Sequence, residues 1–204
     1  MPYNKAHTAQ VKNSIVESAR ILFNRHGFEK VTIDQIMAHA GLTRGGFYHH
    51  FKSKEALYQE AVMGFLMGRG AQWRCQAGID LNRIDDKAAI NMIKAYLSDQ
   101  HLTDLDGQCP MIALPSDVAR ANQQVKQSYQ HLLEGMTYLF QTSLATIEGD
   151  EANRAKALSL SALCVGGMVL ARTIPDAVLA EEIQLAAQQT ALSLLSECQE
   201  TQDV

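Results

Sequence analysis

Apolar residues recur along most of this chain at the three- and four-residue spacing that lays one stripe along a helix, and no strand pattern competes with it. From Val11 to His26, Ile15, Ala19, Leu22 and Phe23 share a side, and Gly27 supplies the stop. Ile33, Ile36, Met37 and Ala40 then form one apolar face behind Thr32. The Thr32 hydroxyl can accept the N–H of Gln35 while the Gln35 side chain reaches back to Thr32, a reciprocal capping box. Gly41 can take the left-handed conformation that ends a helix, and Leu42 beyond it is placed to fill the gap before the next one. That next helix is capped by Thr43, with Phe47 and Phe51 on its packing face and Arg44, Gly45, Tyr48 and His49 around its other sides. Ser53 caps a further helix that runs to about Gly68 through Leu57, Ala61 and Phe65.

Beyond several glycines that weaken the pattern, Asp85 or Asp86 starts a helix through Ile90, Ile93 and Leu97, followed by a polar interval over 103–108. Residues 109–121 read as a short helix with Pro110 in its first turn, which Pro115 must kink or divide. Three longer helices are expected over 122–147, 151–173 and 175–198. In the last two, small and large side chains alternate (Ser161, Ala162, Val165 and Val169; Ala186, Ala187, Ala191 and Leu194). Small residues let helices approach closely, so this pattern suits either a core within one chain or a four-helix interface between two copies.

The segment 32–51 is two short helices joined by a tight turn, an arrangement that can set the second helix into a DNA groove. Two consecutive glycines near the start of a short helix cost about 1 kcal/mol each relative to alanine, a poor choice unless a backbone must approach closely there. Thr32, Thr43, Tyr48, Lys52 and Lys54 offer donors for phosphate oxygens. The bland alternative is a helical hairpin whose polar residues meet only water, and the rival function is that of a helical protein-interaction adaptor.

Charge adds to the first reading. The 204 residues carry a net charge of −4, yet residues 1–60 hold eight Lys/Arg against five Asp/Glu, a local balance of +3. That suits a specific duplex reader, not a protein that coats nucleic acid. At 47% hydrophobic residues the chain has enough apolar surface for a substantial core. Cys75, Cys109, Cys164 and Cys198 form no short ligand cluster, so no metal is expected, and the chain reads as cytoplasmic with reduced thiols. The richest apolar region, from Leu158 to Ile174, is interrupted by serines, glycines and Arg172, so no membrane span is expected. No H-E-x-x-H pair, phosphate loop or serine elbow is present, so neither catalytic residues nor a cofactor are expected.

The run from Thr32 to Leu57, preceded by Ala19, Phe23, Gly27 and Phe28, resembles the DNA-binding domain of the TetR family of transcriptional regulators, specifically over about 11–57 and weakly thereafter. The resemblance implies an all-α homodimer: an N-terminal three-helix DNA-binding domain with a helix-turn-helix at 1–56, and a larger C-terminal helical ligand-binding and dimerisation domain at 57–204. It implies a repressor released from an inverted-repeat operator on double-stranded DNA by a small-molecule effector. Arg44, Gly45, Gly46, Tyr48, His49 and His50 then occupy recognition positions, and Thr32, Thr43 and Lys54 phosphate-contacting ones. Gly46 stands where a small or hydroxyl-bearing side chain is more usual. Trp73, Met92, Tyr96, Met111, Tyr129, Met136, Phe140 and Met168 are candidates for an adaptable effector pocket, because thioethers and aromatics can surround uneven molecules; core packing explains them almost as well. Residues 107–118 resemble the opening of a core helix in a subset of the family that includes thiol-based electrophile sensors. Cys109 is therefore either a sensing thiol or a small apolar core residue.

Overall fold

Eleven α-helices and one short 3-10 helix account for nearly all of the described chain, and no strand occurs among the described residues. A computed structural model describes residues 5–144 and 150–200, with side chains described for 5–144 and 154–195. The helices are α1 (Lys5–His26), α2 (Ile33–His39), the 3-10 helix (Arg44–His49), α3 (Lys54–Met67), α4 (Arg69–Gln76) and α5 (Lys87–Tyr96). They continue as α6 (Asp99–Thr103), α7 (Pro110–Ala113), α8 (Pro115–Arg120), α9 (Gln123–Leu144), α10 (Asp150–Thr173) and α11 (Ala177–Glu200).

Compactness divides the chain into two units, 1–70 with 105–130 and 71–104 with 131–204. In the first, α1 packs on α2 and α3. Phe23, Phe28 and Tyr58 make an aromatic triangle with ring centroids 5.2–5.7 Å apart, beside fully buried Ile15, Ala19, Ile36 and Leu57. Each such aromatic pair contributes about 0.5–1.5 kcal/mol beyond its buried area. Lys12 ties α1 to α3 through Glu60 at 2.7 Å and lies 5.4 Å from the centroid of the Phe51 ring.

In the second unit α10 and α11 pack along each other, and α5 packs against both. A Cβ at Gly167 would lie 2.6 Å from the Ala187 Cβ and 3.2 Å from Leu97 Cδ2, so the small residues bring these two helices together within one chain. Ser161 and Ala191 are likewise fully buried. Part of the small-residue pattern thus has an intramolecular use. The stretch Arg154–Thr173 is long and apolar enough to cross a membrane by length and composition; here Ala157, Leu160, Cys164, Met168 and Ala171 are buried in the packed unit.

Several expected boundaries move. The first helix begins at Lys5 instead of Val11, adding an exposed polar turn that apolar spacing could not reveal. Pro115 does divide 109–121, into α7 and α8. The helix expected to reach Gly68 ends at Met67 and α4 follows directly. Between the helix expected through Leu97 and the polar interval 103–108 lies α6, which apolar spacing does not predict; the Ser98 hydroxyl caps it on the His101 N–H at 3.2 Å. The expected end of the helix over 122–147 lies outside the described residues, as does the side chain of Cys198.

Candidate nucleic-acid interface

The helix-turn-helix is built by backbone bonding that its sequence dictates. Thr32 Oγ1 accepts the Gln35 N–H at 3.2 Å and Gln35 Oε1 accepts the Thr32 N–H at 2.8 Å, the full capping box. At the other end Gly41 has φ +71°, its N–H donates to Ala38 O at 3.0 Å, and Leu42 N–H donates to Met37 O at 2.8 Å. This paired closure needs the left-handed residue that glycine supplies without steric cost. Leu42 is half-buried beyond it.

The element that follows differs from the expected α-helix: Arg44–His49 is a 3-10 helix, and Thr43 makes no side-chain cap bond to it. Two glycines in six residues leave little side-chain contact to support an α-helical turn. Phe47 anchors it, fully buried, with Phe51 at 5.7 Å and Tyr48 edge-on at 5.2 Å. Burying one such side chain contributes about 1.5–3 kcal/mol, enough to hold a short element whose other residues face outward. Arg44, Gly45, Tyr48 and His49 are exposed, while Gly46 and His50 are half-buried. Arg44 Nη1 pairs with Asp34 Oδ2 at 2.8 Å, both side chains more than half exposed, so the pair is weak and replaceable.

A Cβ on Gly45 would meet nothing within 4 Å, and one on Gly46 only Met37 Cε at an ordinary 3.6 Å. Internal packing therefore gives no reason for the double glycine. Lys54 is engaged inward: Nζ donates to Phe28 O at 2.9 Å and Val31 O at 3.1 Å and sits 4.4 Å from the Phe28 ring centroid. It pins the turn between α1 and α2, leaving one of its three N–H donors for another partner.

The same unit holds a second attachment that sequence spacing did not reveal. Arg20 donates to Asp106 O, and Arg25 pairs with the Asp106 carboxylate, with Nη2 at 2.8 Å from Oδ2. The Arg25 guanidinium holds the Asp106 carboxyl below its ordinary range, and Arg20 does the same to Glu17. Asn24 and Gln108 exchange side-chain amide donors for backbone oxygens at 2.9 and 3.2 Å. Asp117 Oδ2 accepts the Phe28 N–H at 2.8 Å beneath Gly27, whose φ is +85°. A Cβ on Gly27 would lie 2.2 Å from that oxygen. Residues 105–120 thus grip the end of α1 and the turn that leads into α2.

The candidate effector residues fall in both units. Met111 and Tyr129 belong to the first, where the Tyr129 hydroxyl donates to Met111 O at 3.1 Å and burial pushes its pKa up to about 12. Trp73, Met92, Tyr96, Met136, Phe140 and Met168 belong to the second, with Phe140 and Met168 fully buried as core. Cys109 is 4% exposed and precedes the four-residue α7, a placement that suits a core side chain. Burial pushes the Cys164 thiol up to about 12, and Cys75 is exposed. Among the described residues no group of His, Cys, Asp or Glu could hold a metal.

An all-helical fold with the capped α2, the Gly41 closure, the buried Phe47 anchor and outward-facing Arg44, Gly45 and Tyr48 is that of a helix-turn-helix protein. Residues 15–61 match the family model for bacterial regulatory proteins of the tetR family. The transposon Tn10 TetC protein of Escherichia coli is 54% identical over 44 residues, 22% of each chain. The HTH-type transcriptional regulator YerO of Bacillus subtilis is 26% identical over 151 residues, 70% of this chain and 48% of that protein. A TetR transcriptional regulator from Chloroflexus aurantiacus shares the fold with a TM-score of 0.73 at 20% identity, over 90% of this chain and 95% of that one. Residues 15–61 thus form a tetR-type DNA-binding domain, and the chain as a whole has the fold of solved TetR regulators. The matches to the first of these curated relatives span from about a fifth to about half of the relatives' length.

Proposed function

We propose that this protein is a ligand-responsive transcriptional regulator, a homodimeric repressor that leaves an inverted-repeat operator when a small molecule binds. Residues 1–56 act as the reader and 57–204 as the regulatory and dimerisation domain. The observation that carries this reading is the surface of exposed Arg44, Gly45, Tyr48 and His49 on a helix-turn-helix of the tetR type. Arg44 addresses guanine acceptors or an adjacent phosphate; Tyr48, Thr32 and Thr43 address phosphates; His49 and His50 flank the groove. The double glycine supports the same reading, since its lack of side chains meets no internal need and leaves room for a duplex backbone. Lys54 contributes mainly by holding the turn, with one N–H left for a phosphate.

Large apolar side chains left exposed on α10 and α11, among them Leu158, Leu170, Val178 and Leu185, support association of two copies. Cytoplasmic action on double-stranded DNA follows from the same reading. The decisive experiment is selection of bound duplexes from a random library, followed by titration of the selected sequence. We expect an inverted repeat, and we expect Arg44→Ala to keep the fold while losing about 1–3 kcal/mol of discrimination at one base pair of each half-site. Absence of any selected duplex would favour a protein-interaction adaptor. An unchanged base preference in Arg44→Ala would remove Arg44 from direct readout.

A further inference from the structure

Within the second unit, the turn between α5 and α6 and the short α6 are held by two polar side chains whose hydrogen bonding is incomplete. Arg172, near the end of α10, donates from Nη2 to His101 O and Leu102 O, both at 2.6 Å, and so caps the carbonyl end of α6. Its Nε and Nη1, three further N–H donors, are buried and have no partner. On α11, Gln184 is 4% exposed; its Nε2 donates to Leu97 O at 2.8 Å, while its Oε1 is buried without a partner. Burial lowers the pKa of the Arg172 guanidinium, an effect that Asp104 and Tyr96 partly offset. A charged group taken from water with most of its donors unused is strongly unfavourable unless an acceptor completes it.

The surroundings describe that acceptor. His101, whose carbonyl holds the guanidinium, is itself buried; Nδ1 is 2.8 Å from Tyr96 O. Its ring meets Trp73 edge-on at 4.1 Å and Tyr96 edge-on at 4.7 Å between centroids. Two aromatic rings thus gather on the residue whose backbone carbonyl the guanidinium holds. A carboxylate supplies only acceptors, so it answers the Arg172 deficit, and a flat apolar body suits packing against rings that already pair edge-on.

We propose that Arg172, with Trp73, Tyr96 and His101 beside it and Gln184 on the same turn, forms a binding site for an aryl carboxylate. This rests on the ligand-responsive reading above and gives it a ligand class. Binding there draws on α4, α5, α6, α10 and α11 together, because Trp73, Tyr96, His101, Arg172 and Gln184 come from these five helices.

The test uses the full-length protein with benzoate as probe and benzamide as its neutral counterpart, by thermal shift and calorimetric titration. Benzoate is expected to raise Tm and to bind at least tenfold more tightly than benzamide. Arg172→Met, which keeps an unbranched apolar stem without the charge, is expected to lose the benzoate preference, and Arg172→Lys to retain part of it. The comparison of the two probes on the wild-type protein stands even where a variant folds poorly. Equal response to both probes, no response to either, or an intact benzoate preference in folded Arg172→Met would overturn the site. Operator titration run separately judges the regulator reading: a protein that prefers benzoate yet selects no duplex keeps the site and loses that reading.

Discussion

At the residue scale, Gly45 separates what the fold requires from what a partner requires. It is exposed, its φ is not positive, and an added methyl group would touch nothing. Alanine restricts the unfolded chain and favours helical backbone, so Gly45→Ala should leave the protein as stable as before or up to about 1 kcal/mol more stable. If the duplex backbone approaches closely at this point, the same substitution should weaken operator binding by at least about tenfold, or 1.4 kcal/mol. Urea unfolding and operator titration on one preparation check both halves. Unchanged binding would mean that the glycine answers no contact with DNA. Arg44 makes the complementary case, since its pair with Asp34 is exposed at both ends and gives up little when the guanidinium turns to another acceptor.

At the scale of elements, the reader does not stand on α1, α2 and α3 alone. The Asp117 carboxylate occupies the space that a side chain at position 27 would need, and it holds the Phe28 N–H where the chain turns toward α2. Gly27→Ala therefore combines a left-handed backbone with a clash and should destabilise by more than about 1 kcal/mol. Gly27→Ala with Asp117→Ala relieves the clash but keeps the backbone strain. The double variant should consequently be less destabilised than the sum of the two single variants, a coupling that a double-mutant cycle in urea measures directly. Strict additivity would mean that the carboxylate moves aside freely and does not brace the turn. Lys54 braces the same turn from α3 through the carbonyls of Phe28 and Val31, so the entry to α2 is held by both a cation and an anion.

At the scale of the whole molecule, one reader covers too little duplex for strong selection, whereas a symmetric pair matches an inverted repeat and combines two binding energies. Val178 and Leu185 lie seven residues apart on one side of α11 and are among the exposed large apolar side chains. Replacing both by glutamate should leave the fold of each chain intact and shift sedimentation from dimer to monomer. Affinity for the full inverted repeat should fall toward that for a half-site. A dimer that survives the double substitution would place the interface elsewhere, and a monomer with full operator affinity would remove the need for symmetry.

Local bonding rules made much of this protein legible from residue order. The Thr32–Gln35 capping box, the Gly41 closure, the Ser53 cap and the division at Pro115 each depend on residues within a few positions of one another, and each occurs as spacing predicts. The helical class follows from the same short-range code, while the tetR-type reader was legible as a resemblance over about 11–57. Long-range pairing decided the rest. No local pattern joins Arg20 and Arg25 to Asp106, or Phe28 to Asp117, across more than eighty residues. Nor does periodicity distinguish a small residue that seats α11 against α10, as Gly167 does at Ala187, from one that waits for a second chain. Arg172 interrupts an apolar stretch in the sequence; only the packed unit places its guanidinium on the carbonyls of α6 and leaves three donors unused. The sequence by itself determined the longer helices and where the reader lies, because capping and amphipathic spacing act over one or two turns; the short α4 and α6 and the 3-10 form of 44–49 it did not. Only the tertiary structure decided which polar groups are buried and which of those lack partners, because burial belongs to the assembled helices and to no single stretch of chain.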